Sequence, residues 1–167
     1  MKIETYPVKK VTAQDFNLDD FSLKNMKGKV VILWFSPSCG HCIRFHPNFN
    51  QAAKDCEGEV DVQFCEIDMS DAANMLDLDK IDDKILDKSE FNKANVKKVH
   101  ISQILDKNCV KAKFKVNGWP TVVSFLDGKY FSSYGPSDKE YRSVDDVINY
   151  ASTIGTSDIH MVSDNDI

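Results

Sequence analysis

Short runs of apolar residues along the chain predict the strands of a sheet. Residues 30–35 are six consecutive apolar positions rich in branched and aromatic side chains, which is typical of a central strand buried on both faces. Similar runs predict strands over residues 60–67 and Thr121–Leu126. The last of these is followed by an Asp-Gly dipeptide, a turn signal, so we expect a partner strand over Lys129–Tyr134.

Two further segments carry apolar residues at helical spacing. The first begins at the tetrapeptide Cys39-Gly40-His41-Cys42 and continues through Phe45 and Phe49. The second lies near the carboxyl end and consists of Val144, Val147, Ile148 and Tyr150. Since these four fall on one side of a helix, we expect the final helix to pack that face on the sheet.

A charged segment separates the second and third predicted strands. Residues 70–107 hold eight acidic side chains and seven lysines. Two apolar sets recur within it at roughly helical spacing, namely Met75, Leu78, Ile81 and Ile85, and then Val96, Val99, Ile101, Ile104 and Leu105. The pattern predicts two amphipathic helices in an ordered insertion over residues 69–107. Its mixed charges fit either a solvated outer face or a surface for a substrate or partner.

Length and composition fit one folded domain. With 167 residues, 42% of them hydrophobic, the chain can bury a core without a disulfide framework. Alternating strands and helices predict an α/β domain over residues 1–152 that includes the insertion. The polar, acidic residues 153–167 are predicted to form a flexible tail.

The charge balance excludes several classes of partner. A net charge of −5 argues against a protein that follows nucleic-acid phosphates or binds membranes through basic residues. The longest apolar run is far shorter than a membrane span. The first residues contain no apolar signal segment, so a reducing, cytoplasmic location is expected unless a signal was removed.

The Cys39-x-x-Cys42 spacing indicates a site of thiol chemistry. The pair directly follows a buried strand and begins a helix, where unpaired N–H groups and the positive end of the dipole stabilise an anion. The first cysteine can therefore ionise near neutral pH, and two intervening residues allow a small disulfide ring to close. This arrangement suits reversible dithiol–disulfide chemistry.

Several motifs in order resemble the thioredoxin superfamily, most closely domains of the protein disulfide isomerase type. They are the strand over residues 30–35, the CGHC tetrapeptide, Pro47, the segment over residues 116–121, the triplet over residues 127–129 and the stretch over residues 142–150. The resemblance implies a thioredoxin fold, a central mixed β-sheet flanked by helices, with the charged helical insertion between the central strands. It also implies thiol–disulfide exchange on protein substrates.

The resemblance assigns roles to residues at two places. Cys39 would be the attacking thiolate, Cys42 the resolving thiol, and His41 a neighbour whose partial positive charge favours the thiolate. Around a cis Pro120, the backbone of Gly118, Trp119 and Thr121 would pair with an extended peptide substrate.

Other roles implied by the resemblance are less complete. Arg142 aligns with an arginine that swings toward the second cysteine in isomerase-like domains, although a surface ion pair is an equal alternative. Leu33 replaces the buried acid that precedes the cysteines, and Ser38 replaces the usual tryptophan. In place of the proton relay that this acid provides, the protein would then have to use water, Arg142 or nothing, and turnover would be slow.

The remaining candidate groups indicate no cofactor. Cys65 lies in a buried-strand pattern and is predicted to be an inert core thiol, whereas the roles of Cys56 and Cys109 stay open. A zinc site built on Cys39, Cys42 and His46 lacks a fourth ligand, so no metal is expected. No dinucleotide fingerprint occurs, so electrons would come from glutathione or another redox protein.

Two functional hypotheses follow. The first is a protein disulfide isomerase-like or oxidase-like enzyme with a reduction potential toward the isomerase end of the range. The alternative is a thioredoxin-fold binding or chaperone module with little redox turnover, which the residues at 33 and 38 favour. A CGHC centre suits the endoplasmic reticulum lumen, while the Lys/Asn/Asp-rich composition is similar to redox proteins of large DNA viruses.

Overall fold

The computed structural model describes residues 8–58, 61–108, 112–116, 118–136 and 141–156. The strands are β1 (Val8–Lys10), β2 (Lys29–Phe35), β3 (Val62–Asp68), β4 (Met75–Asp77), β5 (Lys98–His100), β6 (Thr121–Leu126) and β7 (Lys129–Tyr134). The helices are α1 (Gly40–Cys56), α2 (Ser89–Lys93), α3 (Ile101–Gln103) and α4 (Val144–Ser152). A π-helical turn, Ile104–Asn108, continues α3.

Five strands form one mixed sheet in the order β1-β3-β2-β6-β7. The first three are parallel, whereas β6 runs antiparallel to β2 and β7 antiparallel to β6. Because Trp34 pairs with Thr121, the carboxyl end of β2 lies beside the start of β6. The loop that follows β2 is thereby brought next to the loop that precedes β6, and the site forms there.

The residues of β2 are apolar because both faces of the sheet are covered at this strand. Val30, Ile32 and Trp34 point into a cluster shared with the insertion, while Val31 and Leu33 point toward α1 and α4. All five are at most 1% exposed. Since successive side chains of a strand alternate between faces, a strand covered on both sides needs the continuous apolar run seen here.

The thioredoxin fold with its mixed sheet and flanking helices is confirmed, with α1 between β2 and β3. The folded part extends beyond the predicted boundary at residue 152, because the side chain of Ile154 is fully buried against α4 and the sheet. Of the predicted tail, residues 157–167 lie outside the described residues.

The insertion is ordered, but the prediction of two amphipathic helices is wrong. Between β3 and the π-helical turn, the chain forms 3-10 turns, the antiparallel β4–β5 pair, and helices α2 and α3 of five and three residues. The reason is local. Asp71, Asp82 and Asp87 each accept the backbone N–H two residues ahead, which gives the chain an alternative to helical hydrogen bonds.

Asn74 attaches the insertion to the sheet. Its side chain is 1% exposed; Oδ1 accepts from the Ala13 N–H at 2.8 Å, and Nδ2 donates to the Asp68 carbonyl at 2.6 Å. The amide thus joins the end of β3, where the insertion begins, to the segment after β1.

Replacing Asn74 with alanine is expected to lower the free energy of unfolding by about 2 kcal/mol, because two backbone groups lose a buried partner. Urea unfolding of the whole chain measures this. Asn92→Ala is the matched control, since Asn92 is exposed in α2, and it should shift the midpoint little. Equal midpoints for the two variants would show that the amide does not hold the insertion.

Candidate functional site

The two cysteines lie where β2 ends and α1 begins. Pro37 cannot continue a sheet ladder, and the Cys39 N–H instead donates to the Ser36 carbonyl at 3.1 Å. Cys39 is the N-cap of α1, with φ −86° and ψ 125°, and its carbonyl accepts the N–H of Ile43 at 2.9 Å. Cys42 follows within the first turn. The first sulfur is therefore at the accessible end of the helix and the second is inside it.

The environment of Cys39 favours its thiolate. The largest cause that lowers the pKa of this thiol is the backbone N–H of Cys42, to which the Cys42 thiol, the His41 N–H and the charge of Arg44 add. Partial burial opposes them. These N–H groups belong to the first turn of α1, where they have no partner within the helix. The local geometry thus supplies the anion site that the sequence predicts.

The environment of Cys42 favours its neutral thiol instead. The side chain is 2% exposed, and burial is the main cause that raises its pKa to about 11. The neighbouring Cys39 also raises that pKa, while the N–H of Ser36, 3.5 Å from Sγ, works against the rise. One sulfur is therefore accessible and acidic, and the other is buried and neutral. This asymmetry suits an attacking thiolate followed by a resolving thiol.

A second loop lies against the attacking sulfur. The Cys39 thiol donates to the Trp119 carbonyl oxygen at 3.7 Å, and the bond between Trp119 and Pro120 is cis. Thr121 Oγ1 donates to the Gly118 carbonyl at 2.6 Å, which closes this loop on itself. The Trp119 side chain is 40% exposed while Pro120 is buried. The four residues named for substrate binding therefore lie together beside Cys39.

His41 is at the site, but its ring is engaged by a residue that the sequence reasoning missed. Its Nδ1 lies 3.0 Å from Nη2 of Arg44, and Arg44 is the side chain whose charge acts on Cys39. The available signal was the spacing, because residues three apart on a helix are neighbours. The predicted effect of a positive His41 ring stays a prediction.

Arg142 lies just before the N-cap of α4. Its carbonyl accepts a hydrogen bond from Asn48 Nδ2 at 2.9 Å, which ties the start of α4 to α1. The backbone of this residue thus helps to place the two helices. Its proposed movement toward Cys42 stays a prediction.

The two departures from the family pattern have clear structural settings. Leu33 is 1% exposed and packs with the apolar residues of α1. Glu66, its register partner on β3, carries a carboxylate at this level of the sheet, and Oε1 pairs with His46 Nε2 at 2.9 Å. Ser38 Oγ lies 3.2 Å from Ser36 Oγ. An apolar side chain therefore occupies the position of the family's acid.

Two of the other cysteines, Cys56 and Cys65, lie outside the dithiol loop. Cys56 and Cys65 are buried, and burial raises the pKa of Cys65 to about 12, as expected for an inert core thiol. Cys109 lies outside the described residues. His46, considered for zinc, hydrogen-bonds Glu66 and Asn50.

In the part of the chain that the structure describes, no three or more histidine, cysteine or acidic side chains converge as a metal site. None of its helices combines the length and the apolar character needed to cross a bilayer.

One comparison with known proteins, that with family models, agrees with the fold. The thioredoxin family model matches residues 7–83, from the edge strand through the dithiol into the insertion. No curated protein matches the chain in sequence.

Solved structures with a similar fold include the J-Trx1 fragment of ERdj5, at 14% identity and a TM-score of 0.46 over 88% of this chain and 49% of that chain. The first thioredoxin domain of mouse protein disulfide-isomerase A4 has 17% identity and a TM-score of 0.43, over 79% and 66% of the two chains. Thioredoxin Mala s 13 of Malassezia sympodialis has 15% identity and a TM-score of 0.40, over 83% and 86%. The chain spans about half the length of the ERdj5 fragment.

The family match over residues 7–83, a little under half of the chain, agrees with the strand order and with the paired cysteines at the start of α1. This part of the chain is similar to the thioredoxin family.

Proposed function

We propose that the protein exchanges disulfides with protein substrates, in the manner of protein disulfide isomerase or of an oxidase. The observation that carries the proposal is the asymmetry of the pair. Cys39 is accessible and its thiol pKa is lowered, whereas Cys42 is buried with a pKa of about 11. A thiolate is the nucleophile in such exchange, so Cys39 is the sulfur that reacts with substrate.

The reaction balances in two steps. The Cys39 thiolate attacks one sulfur of a substrate disulfide, forms a mixed disulfide and releases the other substrate sulfur as a thiolate. Cys42 then loses its proton and attacks Cys39 Sγ, which closes the Cys39–Cys42 disulfide and releases the second substrate sulfur. The substrate gains two electrons and the protein loses them. Run in reverse, the same steps oxidise a substrate dithiol, and glutathione or another redox protein restores the starting state.

The loop beside Cys39 supplies a place for the substrate chain. Gly118 and Trp119 are exposed, the Trp119 carbonyl lies next to the reacting sulfur, and Pro120 has no N–H to compete for that sulfur. An extended peptide can pair with such backbone while its neighbouring apolar side chain covers the exposed Trp119 ring. Thr121, bonded to Gly118, holds the loop in shape.

Resolution is expected to be the slow step. Cys42 must lose a proton, and Leu33 offers no acceptor at the position where the family carries an acid. The proton would leave to water or to the departing substrate thiolate. We therefore expect formation of the mixed disulfide to be fast relative to its release.

Insulin reduction with dithiothreitol tests the proposal against the alternative of a binding module. Cys39→Ser is expected to reduce the rate to that of dithiothreitol alone. Cys56→Ser is the matched control, because it removes a buried thiol at the other end of α1 and should keep most of the activity. Equal activity in the wild-type chain and in Cys39→Ser would remove the enzyme hypothesis.

A further inference from the structure

The Arg44 side chain folds back over the first turn of α1. Its Nη2 lies 3.0 Å from His41 Nδ1, and a Cβ on Gly40 would lie 3.4 Å from its Nη1. Gly40 and His41 are the two residues between the cysteines. The guanidinium therefore lies beside the dithiol loop, with one terminal nitrogen near Gly40 and the other near His41.

General hydrogen-bonding chemistry identifies the donor and the acceptor in the contact between Arg44 and His41. A guanidinium has only donors and keeps its charge at every physiological pH. The His41 Nδ1 atom must then be the acceptor, so in this contact the ring is the neutral tautomer with its proton on Nε2. The permanent positive charge at the dithiol loop therefore belongs to Arg44, and His41 serves to hold it there.

We propose that Arg44 is a positioning residue of the exchange reaction, which is held over the dithiol loop by His41 and whose fixed charge stabilises the Cys39 thiolate. The inference rests on the proposed function and assigns to Arg44 a role that the CGHC motif alone would give to His41. The groups that face Cys39 are the Cys42 thiol, the first-turn N–H groups, the Trp119 carbonyl and the charge of Arg44.

The exposure of Arg44 limits how strongly its charge can stabilise the Cys39 thiolate. Arg44 is exposed, so solvent and salt screen its attraction for the thiolate. Interactions between exposed charges are worth about 0.2 to 1 kcal/mol, which corresponds to a change of about 1.4- to fivefold.

The test is the rate at which iodoacetamide modifies Cys39 in the reduced full chain, followed by mass spectrometry of the peptide that contains it. Arg44→Gln is expected to slow the reaction about 1.4- to fivefold below pH 8 and to remove most of its dependence on salt. Arg44→Lys should restore most of the rate at low salt. Lys54→Gln, which removes a cation from the last turn of the same helix, should leave both the rate and its salt dependence unchanged.

Two results would overturn the inference while leaving the proposed function intact. One is a wild-type rate and salt dependence in Arg44→Gln; the other is an equal loss in Lys54→Gln, which would indicate net charge alone. In both cases the wild-type chain would still reduce insulin. If the wild-type chain neither reduces insulin nor shows a more acidic Cys39 than free cysteine, the proposed function fails and this inference fails with it.

Discussion

Replacing Cys42 with serine is expected to stop the reaction after its first half and to leave nearly every protein molecule bound to substrate through Cys39. Cys42 Sγ is the atom that attacks the mixed disulfide, and a serine hydroxyl cannot take its place. The neighbouring Ser36 N–H, which faces Cys42 Sγ at 3.5 Å, can bond a hydroxyl as well, so the fold should tolerate the change. Non-reducing electrophoresis and intact-mass measurement after incubation with a disulfide substrate would show the complex.

The control for this covalent complex is the double variant Cys39→Ser/Cys42→Ser, which should bind no substrate covalently. Complexes in that double variant would mean that another thiol reacts. Full turnover by Cys42→Ser would contradict the assignment of Cys42 as the resolving thiol, since glutathione would then be sufficient to release the substrate.

The second large effect is a separation of the two sulfurs in pH. A thiol reacts as its thiolate, so its alkylation rate rises with pH and levels off above its pKa. The pKa of Cys39 is lowered, so its rate should level off below pH 9, the ordinary value for a cysteine thiol. With a pKa of about 11, Cys42 should still gain about tenfold per pH unit up to that pH.

Peptide-resolved mass spectrometry of the reduced chain measures both profiles at once. At pH 7 only about one in ten thousand Cys42 thiols is ionised, so Cys39 should be modified faster by several orders of magnitude. Cys65 is the internal control: it is fully buried and should react only when the protein unfolds. A common midpoint for Cys39 and Cys42 would contradict the division of roles.

The parts of this fold that could be predicted from the sequence are those specified locally. The run in β2 is buried on both faces, as its composition requires, and β6 and β7 begin and end where the apolar run and the Asp-Gly turn place them. The start of α1 follows from the proline before it and the apolar spacing after it. Each of these signals lies within a few residues of the element it determines.

The insertion shows where such patterns are insufficient. Met75, Leu78, Ile81 and Ile85 have helical spacing, and three of them are buried. The side chains of Asp71, just before this set, and of Asp82, within it, each accept a backbone N–H two residues ahead and hold the backbone in turns. In the structure, these residues lie in a series of short turns that pack on the sheet. Turns formed instead of helices because side chains compete with the backbone for hydrogen bonds. The spacing of apolar residues gives no information about that competition.

The candidate site divides in the same way. The placement of Cys39 and Cys42 at a helix start could be read from adjacent residues. The contact of Cys39 with Trp119 joins positions 80 residues apart, and it depends on the register of β2 with β6. The pairing of Glu66 with His46 likewise requires β3 and α1 to be in place first. Sequence spacing alone could not supply these distances.

The most direct test of the central claim is the equilibrium of the reduced full chain with glutathione, with the Cys39–Cys42 bond identified by mass spectrometry. We expect a single two-electron transition between dithiol and disulfide, at about −180 mV rather than near the −270 mV of thioredoxin, because a stabilised Cys39 thiolate favours the reduced form. A pair that forms no internal disulfide at any ratio of oxidised to reduced glutathione would contradict it.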